Sequence, residues 1–488
     1  MIRNALLAGS ITLALAACAV GPDYKRPAAP ESKGFKELQG WKQSQPKDDT
    51  DRGPWWAIYA DPELDTLEKQ IDISNQNIQA AAAAYLQASA LANEAGAALF
   101  PSVSLGLSGT RQGGAGNATT NLGTGTTTGT APRNSYELQG NVSWDLDIWG
   151  RIRRQKESAV ASAQASAAEL ASARLSAQAS LAVDYFSLRA ADQLQQLLDA
   201  TVEGYKRSLT ITQNQYSVGV ASRLDVITAQ TQLDTAESAD VNVGVQRATL
   251  EHAIAVLIGK APSEFTLAPG TLTAVVPDVP VSLPSALLER RPDIAAAERQ
   301  MAASNAQIGV EEAGYYPDIS LSGLLGYVNS AFSKLATAPN RVWSLGADAT
   351  EDLFNGGATS ASVSAAEAAY DESVANYRQS VLTAFQGVED QLATLRILGQ
   401  QADVQDAAVK DSTQAATIAM NQYRAGTVAY TTVVTAQATA LSSQQTSLTL
   451  QQQRLVASVT LIEDLGGGWS DAELPTSGDV GDGKASHR

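Results

Sequence analysis

Pairs of adjacent carboxylates are the first residues in this sequence whose type and spacing suggest chemistry. Glu311-Glu312 and Glu351-Asp352 each place two acids side by side, an arrangement that can indicate a glycosidase or a metal site. Neither pair has a histidine or a second acidic cluster beside it in the sequence. Both pairs are therefore interpreted as solvated faces, and the sequence predicts no catalytic residue and no metal ligand.

A run of charged residues in the middle of the chain is a second candidate. Glu289, Arg290, Arg291 and Asp293 surround Pro292, which favours a structural ion-pair knot at a helix start over a catalytic group. One cysteine and two histidines exclude a disulfide scaffold and argue against a zinc or iron–sulfur site. No glycine-rich phosphate loop with a lysine is present, so the sequence predicts no cofactor and no enzyme, and any energy must come from partners.

The single cysteine, Cys18, ends a segment with the pattern of a secretory signal. Its apolar run over 5–17 is shorter than the roughly 20 residues that span a membrane as a helix. Leu15-Ala16-Ala17-Cys18 resembles the lipobox of bacterial lipoproteins, which implies signal removal and a covalent lipid on Cys18. A structural cysteine is the alternative. In such lipoproteins an aspartate after the cysteine directs retention in the inner membrane, and Ala19 stands there, so the outer membrane is expected.

Composition narrows the possible partners. Among 488 residues, 51 acids outnumber 34 basic residues, for a formal net charge of −17. Because phosphate binding needs a basic stripe, this balance argues against a nucleic acid partner. After the signal no run of 18 apolar residues occurs, so no membrane-spanning helix is predicted.

The chain contains an internal repeat of about 210 residues. Phe100-Pro101-Ser102 returns 216 residues later as Tyr316-Pro317-Asp318. Gln215-Tyr216-x-x-Gly219 returns after 207 residues as Gln422-Tyr423-x-x-Gly426, and Thr228-Ala229-Gln230 returns at the same offset. Chance similarity between alanine-rich helices does not explain matched proline and glycine positions, so we infer a duplicated unit.

Each half contains two segments in which apolar and polar residues alternate, as in a two-faced strand. The clearest runs from Tyr136 to Trp149, and Ser102 to Thr110 alternates in the same way. Strands of about ten residues with one apolar face are typical of outer-membrane barrels. Aromatic residues at both predicted membrane interfaces support this interpretation: Phe100, Trp149, Tyr316 and Phe354 at one end, and Tyr136, Tyr327 and Trp343 at the other.

Four strands in one chain do not close a barrel, and an open edge in lipid leaves backbone groups without hydrogen bonds. Three copies give twelve strands, whereas two give eight, a barrel whose interior fills with side chains. The sequence therefore favours a homotrimer, and four copies stay open. A soluble sandwich is the alternative, although each strand pair lies between long helices rather than among more strands.

Two very long helices are predicted, over 150–215 and 358–423, because proline is absent and apolar residues recur at helical spacing. About 65 helical residues rise roughly 100 Å. Shorter helices are predicted at 62–98 and 221–258, so that a stacked pair matches one long helix in length. Frequent alanines and interrupted apolar stripes favour a hollow cylinder of helices over a soluble coiled coil with a full apolar seam.

With these features, the chain resembles the TolC-like outer membrane factors, specifically the outer membrane efflux lipoproteins. The resemblance covers nearly the whole mature chain. It is carried by four motifs: Cys18-Ala19-Val20-Gly21-Pro22-Asp23-Tyr24-Lys25-Arg26-Pro27, Trp55-Trp56, Leu287-Leu288-Glu289-Arg290-Arg291-Pro292-Asp293-Ile294, and Leu465-Gly466-Gly467-Gly468-Trp469. It implies a membrane α+β fold, namely a homotrimer whose 12-stranded β-barrel continues into a 12-helix periplasmic α-barrel with a mixed equatorial domain. It also implies a periplasmic adaptor and an inner-membrane efflux transporter as partners, beside outer membrane lipid.

The predicted organisation of the chain follows from these features. It comprises a signal peptide (1–17), a lipidated and equatorial segment (18–60), a periplasmic helix (61–99), the first transmembrane β-hairpin with its extracellular loop (100–149), a long helix with tip turn and return helix (150–259), an equatorial linker (260–284), a periplasmic helix (285–315), the second β-hairpin (316–355), a second helix–turn–helix unit (356–464), and an equatorial segment with a disordered tail (465–488).

Breaks at Gly219 and Gly426 predict the turns at the periplasmic tip, where the resemblance implies a gate. Asp225 lies six positions after the first turn glycine and would form a ring of three carboxylates in a trimer. An early-helix acid stabilised by the helix dipole is the alternative, and both roles are compatible. The remaining gate candidates are Arg223, Thr228, Thr432 and Thr435. The second tip has Thr432 and Thr435 where relatives carry an acid, which argues against a gate held closed by many salt bridges.

The leading functional hypothesis is a passive exit channel for an efflux pump in the bacterial outer membrane, extending into the periplasm. A structural or adhesive surface lipoprotein is an alternative supported only by the glycine-rich loop at 112–133. A type I secretion duct on the same fold is a further alternative.

Overall fold

The computed structural model describes residues 19–30, 34–37, 54–113, 132–272, 275–277 and 287–481. Cys18 and most of the loop at 112–133 lie outside these residues. The elements of the first half are α1 (Pro62–Ser74), α2 (Gln76–Ala97), β1 (Ser102–Gln112), β2 (Arg133–Asp145), α3 (Arg151–Ser217) and α4 (Arg223–Leu257). Those of the second half are α5 (Leu287–Arg290), α6 (Pro292–Glu312), β3 (Asp318–Asn329), β4 (Arg341–Thr350), α7 (Ala358–Arg424), α8 (Tyr430–Asp464) and α9 (Ser477–Gly481).

The four strands form one antiparallel sheet in the order β1-β2-β3-β4. Its register aligns the apolar residues of all four strands: Leu107 pairs with Leu138, Leu138 with Tyr327, and Leu325 with Trp343. Ser104 pairs with Asn141 and Ser320 with Asp348 on the opposite face. Because side chains alternate across a strand, the sheet has one apolar and one polar face, as the alternation predicts.

The second strand is shorter at its end than the sequence suggests. The predicted strand reaches Trp149, but β2 ends at Asp145. The Asp147 carboxylate accepts hydrogen bonds from the backbone amides of Ile152 (2.8 Å) and Arg153 (2.9 Å). These amides at the N-terminus of α3 have no partner within the helix, so Asp147 leaves the sheet to cap the helix.

The long helices are present in both halves and match in length. Helices α3 and α7 each contain 67 residues, and α4 and α8 each contain 35. The predicted single helix over 62–98 is wrong, because it is divided at Asn75. The Asn75 carboxamide accepts hydrogen bonds from Asn77 and Ile78 at the start of α2, and its amide donates to the Leu257 carbonyl at the end of α4 (2.7 Å).

The helices pack side by side in a fixed order. Towards the tips this order is α4–α3–α8–α7, and towards the sheet it is α2–α3–α6–α7. Because α2 and α4 meet end to end at Asn75, the stacked α2 and α4 form one edge of the helical layer and α7 forms the other. We call α2, α4 and α7 the edge helices.

The largest apolar core lies near the middle of α3, where loops and helices of both halves meet. The Tyr59 ring lies 4.9 Å from that of Phe186, and its hydroxyl is 2.8 Å from that of Ser458 in α8. A second buried cluster corrects the prediction of a disordered tail over 477–488 for residues 477–481, whereas 482–488 lie outside the described residues. Helix α9 covers residues 477–481 and buries Val480 against Ala92 and Ala163, which anchors this part of the tail.

Candidate functional site

Both helical hairpins end in the same type of turn. Gly219 and Gly426 have φ values of +79° and +73°, a conformation that favours glycine. The Val220 amide donates to the Gln215 carbonyl at 2.9 Å, and Thr427 donates to Gln422 at 3.0 Å. Such bonds satisfy the last carbonyls of a helix. The two glycines thus reverse the chain at one end of the helical layer, and their assignment to a gate remains a prediction.

Asp225 closes a capping box at the first turn. Its carboxylate accepts hydrogen bonds from the Ser222 amide (2.9 Å) and the Ser222 hydroxyl (2.8 Å), and its own amide donates to that hydroxyl at 3.2 Å. The side chain is half-buried, whereas that of Arg223 is exposed. The Thr228 hydroxyl donates to the Leu224 carbonyl within the helix. Asp225 therefore has a helix-capping role in one chain, which leaves its role in a ring untested.

The second turn lacks this arrangement. Helix α8 has Ala429 at its N-cap position and no side-chain cap. The Thr435 hydroxyl donates to the Thr431 carbonyl at 3.0 Å, and the side chain of Thr432 is exposed. The structure thus brings Arg223, Asp225 and Thr228 together at one tip and Thr432 and Thr435 together at the other.

A layer of polar aromatic contacts joins the two hairpins just above the tips, and the sequence did not reveal it. The Tyr423 and Tyr430 rings lie 5.1 Å apart, and the Tyr430 hydroxyl donates to the Gln232 carboxamide at 3.3 Å. Gln232 donates in turn to Gln437 at 3.2 Å. Burial raises the pKa of Tyr430 to about 12, so its hydroxyl stays protonated. The sequence repeat pointed to Tyr423 through its Gln-Tyr pair. It gave no sign of Tyr430, Gln232 or Gln437, which lie on other helices.

A buried charge network holds the segment after α4 against the helices. The Arg189 guanidinium pairs with Asp192 at 2.8 Å and with Glu63, and Arg247 pairs with Asp192 at 2.7 Å. Arg189 also donates to the Ala268 carbonyl at 2.8 Å. The predicted knot is confirmed for Arg291, which pairs with Asp293 at 2.7 Å. Its second partner, Asp464 at 3.0 Å, comes from α8.

The predicted interface aromatics lie at the two ends of the sheet. Trp149 stacks on Tyr316 with ring centroids 4.7 Å apart, and its indole donates to the Pro317 carbonyl at 3.0 Å. At the other end Tyr136 contacts Phe332 at 5.6 Å. Trp343, Phe100 and Phe354 are exposed, and Tyr327 is half-buried between Leu138 and Arg341 in the sheet.

The described part of the chain contains neither a cluster of metal-binding side chains nor an apolar membrane-spanning helix. There, no group of three or more histidine, cysteine or acidic side chains is placed to hold a metal ion. Among the helices of the same residues, none combines the length and the apolar character that crossing a membrane requires.

Comparison with known proteins adds to these observations. The sequence pattern of the family described as "Outer membrane efflux protein" matches residues 67–260 and 283–467. The probable efflux pump outer membrane protein TtgC of Pseudomonas putida is 30% identical over 472 residues, covering 96% of each chain. The cation efflux system protein CusC of Escherichia coli is 28% identical over 468 residues, covering 95% of this chain and 98% of its own. The solved structure of the outer-membrane channel OprN superposes with a TM-score of 0.83 at 30% identity, covering 93% of this chain and all of that one.

Proposed function

Because this chain belongs to the outer membrane efflux protein family, we propose that it is the outer membrane exit channel of an efflux pump. It lies in the outer membrane and extends into the periplasm. The channel is passive, since the driving energy comes from its partners. We infer that these partners are a periplasmic adaptor and an inner-membrane transporter, since the relatives are named as the outer membrane protein of an efflux pump and as part of an efflux system.

The observation that carries this proposal is the incomplete sheet. Its apolar face continues across all four strands, and β1 and β4 have a neighbour on one side only within the described residues. In lipid, such edges require partners from another chain. Three copies joined β4 to β1 give a closed barrel of twelve strands, whose polar face would line an aqueous lumen.

The helical layer supports closure by the same symmetry. Exposed large apolar side chains concentrate on the edge helices, whereas α6 and α8 carry none and α3 carries only Tyr216 near its tip. The exposed set on the edge helices comprises Leu86, Leu91, Leu224, Ile227, Val241, Val245, Val256, Leu382, Ile397, Val404 and Ile418. Apolar patches of this kind mark protein interfaces. In the proposed homotrimer, α7 of one copy packs against α2 and α4 of the next and completes a twelve-helix cylinder.

We also propose a lipid anchor on Cys18 and an origin of the chain by duplication. Cys18 carries a covalent lipid after removal of residues 1–17, and no other cofactor and no metal is needed for passive conduction. The equal lengths of the paired helices support duplication of one ancestral unit.

The experiment that tests the function reconstitutes the purified protein in planar bilayers. A trimer by light scattering, discrete conductance steps and restored drug resistance in a strain lacking its own efflux channel are expected. Co-purification with a periplasmic adaptor and a pump supports the efflux assignment. A non-conducting protein that mediates cell attachment would instead support the adhesive lipoprotein, and restored protein export without drug resistance would support the type I secretion duct.

A further inference from the structure

The described chain begins with an extended segment that lies on the helices next to the sheet. We call residues 19–26 the N-terminal strap. The Val20 amide donates to the Trp149 carbonyl at 2.9 Å, directly before α3. A Cβ atom added to Gly150 would lie 2.9 Å from the Cα atom of Ala19. The start of the strap is therefore in contact with the junction between the sheet and α3.

Arg154 in the first turns of α3 holds this segment. Its side chain is only 6% exposed. The guanidinium donates to the carbonyls of Val20 (3.1 Å) and Gly21 (3.0 Å), and to the carboxylate of Asp23 at 2.9 Å. Its remaining contact is Glu157 at 2.8 Å. A buried arginine is rarely tolerated without partners. In the described part of the chain, three of the four hydrogen-bond partners of Arg154 belong to the strap.

Two glycines allow the strap to approach α6 at backbone distance. Gly21 has a φ of +92°, and a Cβ atom there would lie 2.4 Å from the Cα atom of Gly309. A Cβ atom on Gly309 would lie 2.8 Å from the Val20 carbonyl oxygen and 2.9 Å from Cγ of Arg154. Real Cβ atoms do not approach so closely, so a side chain at Gly309 would displace the strap.

Further contacts continue along the strap onto α6 and α7. The Asn305 carboxamide donates to the Pro22 carbonyl at 2.9 Å, and the Tyr24 hydroxyl donates to Glu298 at 2.5 Å. The Arg26 guanidinium donates to the Tyr377 hydroxyl at 3.1 Å. The strap thus connects α3, α6 and α7, so its position is fixed relative to the sheet.

We propose that Arg154 is a positioning residue that fixes the depth of the lipid anchor relative to the sheet, an inference that rests on the proposed lipidation of Cys18. Consecutive Cα atoms are about 3.8 Å apart, so the anchor begins one residue from Ala19. The stacked Trp149 and Tyr316 lie at the same junction, and aromatic rings of this kind sit at the membrane interface. We call Arg154 and its contacts with the strap the clamp. The clamp therefore places the acyl chains level with the end of the barrel that meets the helices.

The physical gain is a lower entropic cost of insertion. A lipid on an undocked strap would sample many depths in the membrane. The entropy lost in ordering that strap would oppose insertion of the sheet. When the strap is already docked, the acyl chains and the apolar face of the sheet enter one leaflet together. In this proposal Arg154 acts through the anchor, by holding the strap that leads to it.

The first experiment measures amide hydrogen exchange of the strap by mass spectrometry in the purified, full-length trimer. Exchange in the peptide covering 19–26 is expected to be about tenfold faster or more in Arg154→Gln and Gly309→Ala than in the wild type, because local opening becomes easier. Arg151→Gln is the matched control, since Arg151 is one turn away on the same helix and its ion pair is with Asp318 at 3.6 Å, outside the strap. Asp23→Asn removes one exposed partner of the clamp and is expected to give a smaller increase. Wild-type exchange rates in Arg154→Gln, Gly309→Ala and Asp23→Asn would overturn the clamp.

The second experiment asks whether the clamp acts through the lipid. The fraction of chain recovered as outer membrane trimer is measured for Arg154→Gln in the lipidated protein and in Cys18→Ala exported by a non-lipoprotein signal. In the lipidated protein, Arg154→Gln is expected to lower the recovered fraction of trimer severalfold. In Cys18→Ala, adding Arg154→Gln is expected to lower it no further. An equal loss in both backgrounds would show that Arg154 only stabilises the fold.

The mass of the N-terminal peptide separates the two proposals. If the wild-type peptide carries no lipid, lipidation of Cys18 fails and anchor positioning fails with it. The exchange rates then still report whether Arg154 holds the strap. If the lipid is present and exchange is unchanged by the variants, lipidation stands and the positioning role of Arg154 is wrong.

Discussion

Asp225 and Ser222 satisfy each other's hydrogen bonds at the first tip, with the Asp225 carboxylate 2.8 Å from the Ser222 hydroxyl. This reciprocal contact gives the carboxylate a role in starting α4, in addition to the negative charge that three copies would present around an axis. The two roles can be separated by variants that remove one of them at a time.

Loss of the Asp225 charge is expected to lower cation selectivity and to raise leakage of ions and antibiotics through the isolated channel, because a ring of carboxylates favours cations. Asp225→Asn and Asp225→Ala are compared with Ser222→Ala in single-channel recordings. Ser222→Ala breaks the capping box at a cost of about 1 kcal/mol but keeps the charge. Equal effects of the three variants would show that capping, rather than charge, governs the tip.

Glu68 makes stability depend on pH. It is fully buried in α1, and neither carboxylate oxygen has a hydrogen-bond partner among the residues that the structure describes. Burial, reinforced by the charge of Asp72, raises its pKa from 4.5 to about 9. Below pH 4.5 both folded and unfolded chains hold the proton. As pH rises from there towards 9, only the folded chain keeps it, so stability falls by about 1.4 kcal/mol per pH unit.

Glu68→Gln is therefore expected to raise the thermal unfolding midpoint of the detergent-solubilised protein at pH 8, with little change at pH 4.5. The exposed Glu94→Gln on α2 is the control and is expected to leave both midpoints unchanged. A Glu68→Gln midpoint equal to the wild type at pH 8 would mean that the carboxyl has a partner or ionises freely.

Val404 tests the proposed assembly of the edge helices. It is 72% exposed on α7, and in the trimer it would be covered by the next copy. Val404→Asp is expected to shift the protein from trimer to monomer in light scattering, because desolvating a charge costs several kcal/mol. Val404→Thr keeps the shape and should stay trimeric. Ile58→Asp, outside the edge helices, should do so as well. A trimeric Val404→Asp protein would place the interface elsewhere.

Arg189 tests the buried charge network. Arg189→Met removes one of the two arginines that pair with the buried Asp192, and also a partner of the partly exposed Glu63. This change is expected to destabilise the fold by about 3–5 kcal/mol. The exposed Arg174, which pairs with Asp72 at 3.1 Å, provides the matched control. Arg174→Met is expected to cost about 1 kcal/mol or less. Denaturant unfolding followed by circular dichroism measures both, and equal losses would contradict the importance of burial.

Features that depend on local periodicity could be predicted from the sequence. The alternation that places Leu138 and Trp144 on one face correctly predicted which face of the sheet is apolar. The absence of proline correctly predicted how far α3 extends. Gly219 and Gly426 marked both turns because a helix that reverses commonly ends in a positive φ. These signals lie within a few residues of the feature that they predict.

Features that depend on distant partners could not be predicted in the same way. The break at Asn75 depends on the Leu257 carbonyl, 182 residues away, as well as on the local cap of α2. The end of β2 was missed for a different reason, because the alternation continues to Trp149 although Asp147 caps α3 only five residues further on. The role of Arg154 has no sequence signal, because its three partners in the strap lie more than 130 residues away. The capping box at Ser222 and Asp225 is the exception, since its serine and acid stand three residues apart.

The equal lengths of the helices have an evolutionary consequence. An insertion of seven residues in α3 and its return helix alone would push the first tip about 10 Å beyond the second, and every copy would then present an uneven rim. Length changes in such a chain must therefore occur in both halves and in whole helical turns. Natural variants of this channel are therefore expected to differ in the length of their helical part by whole helical turns, with the same change in both halves.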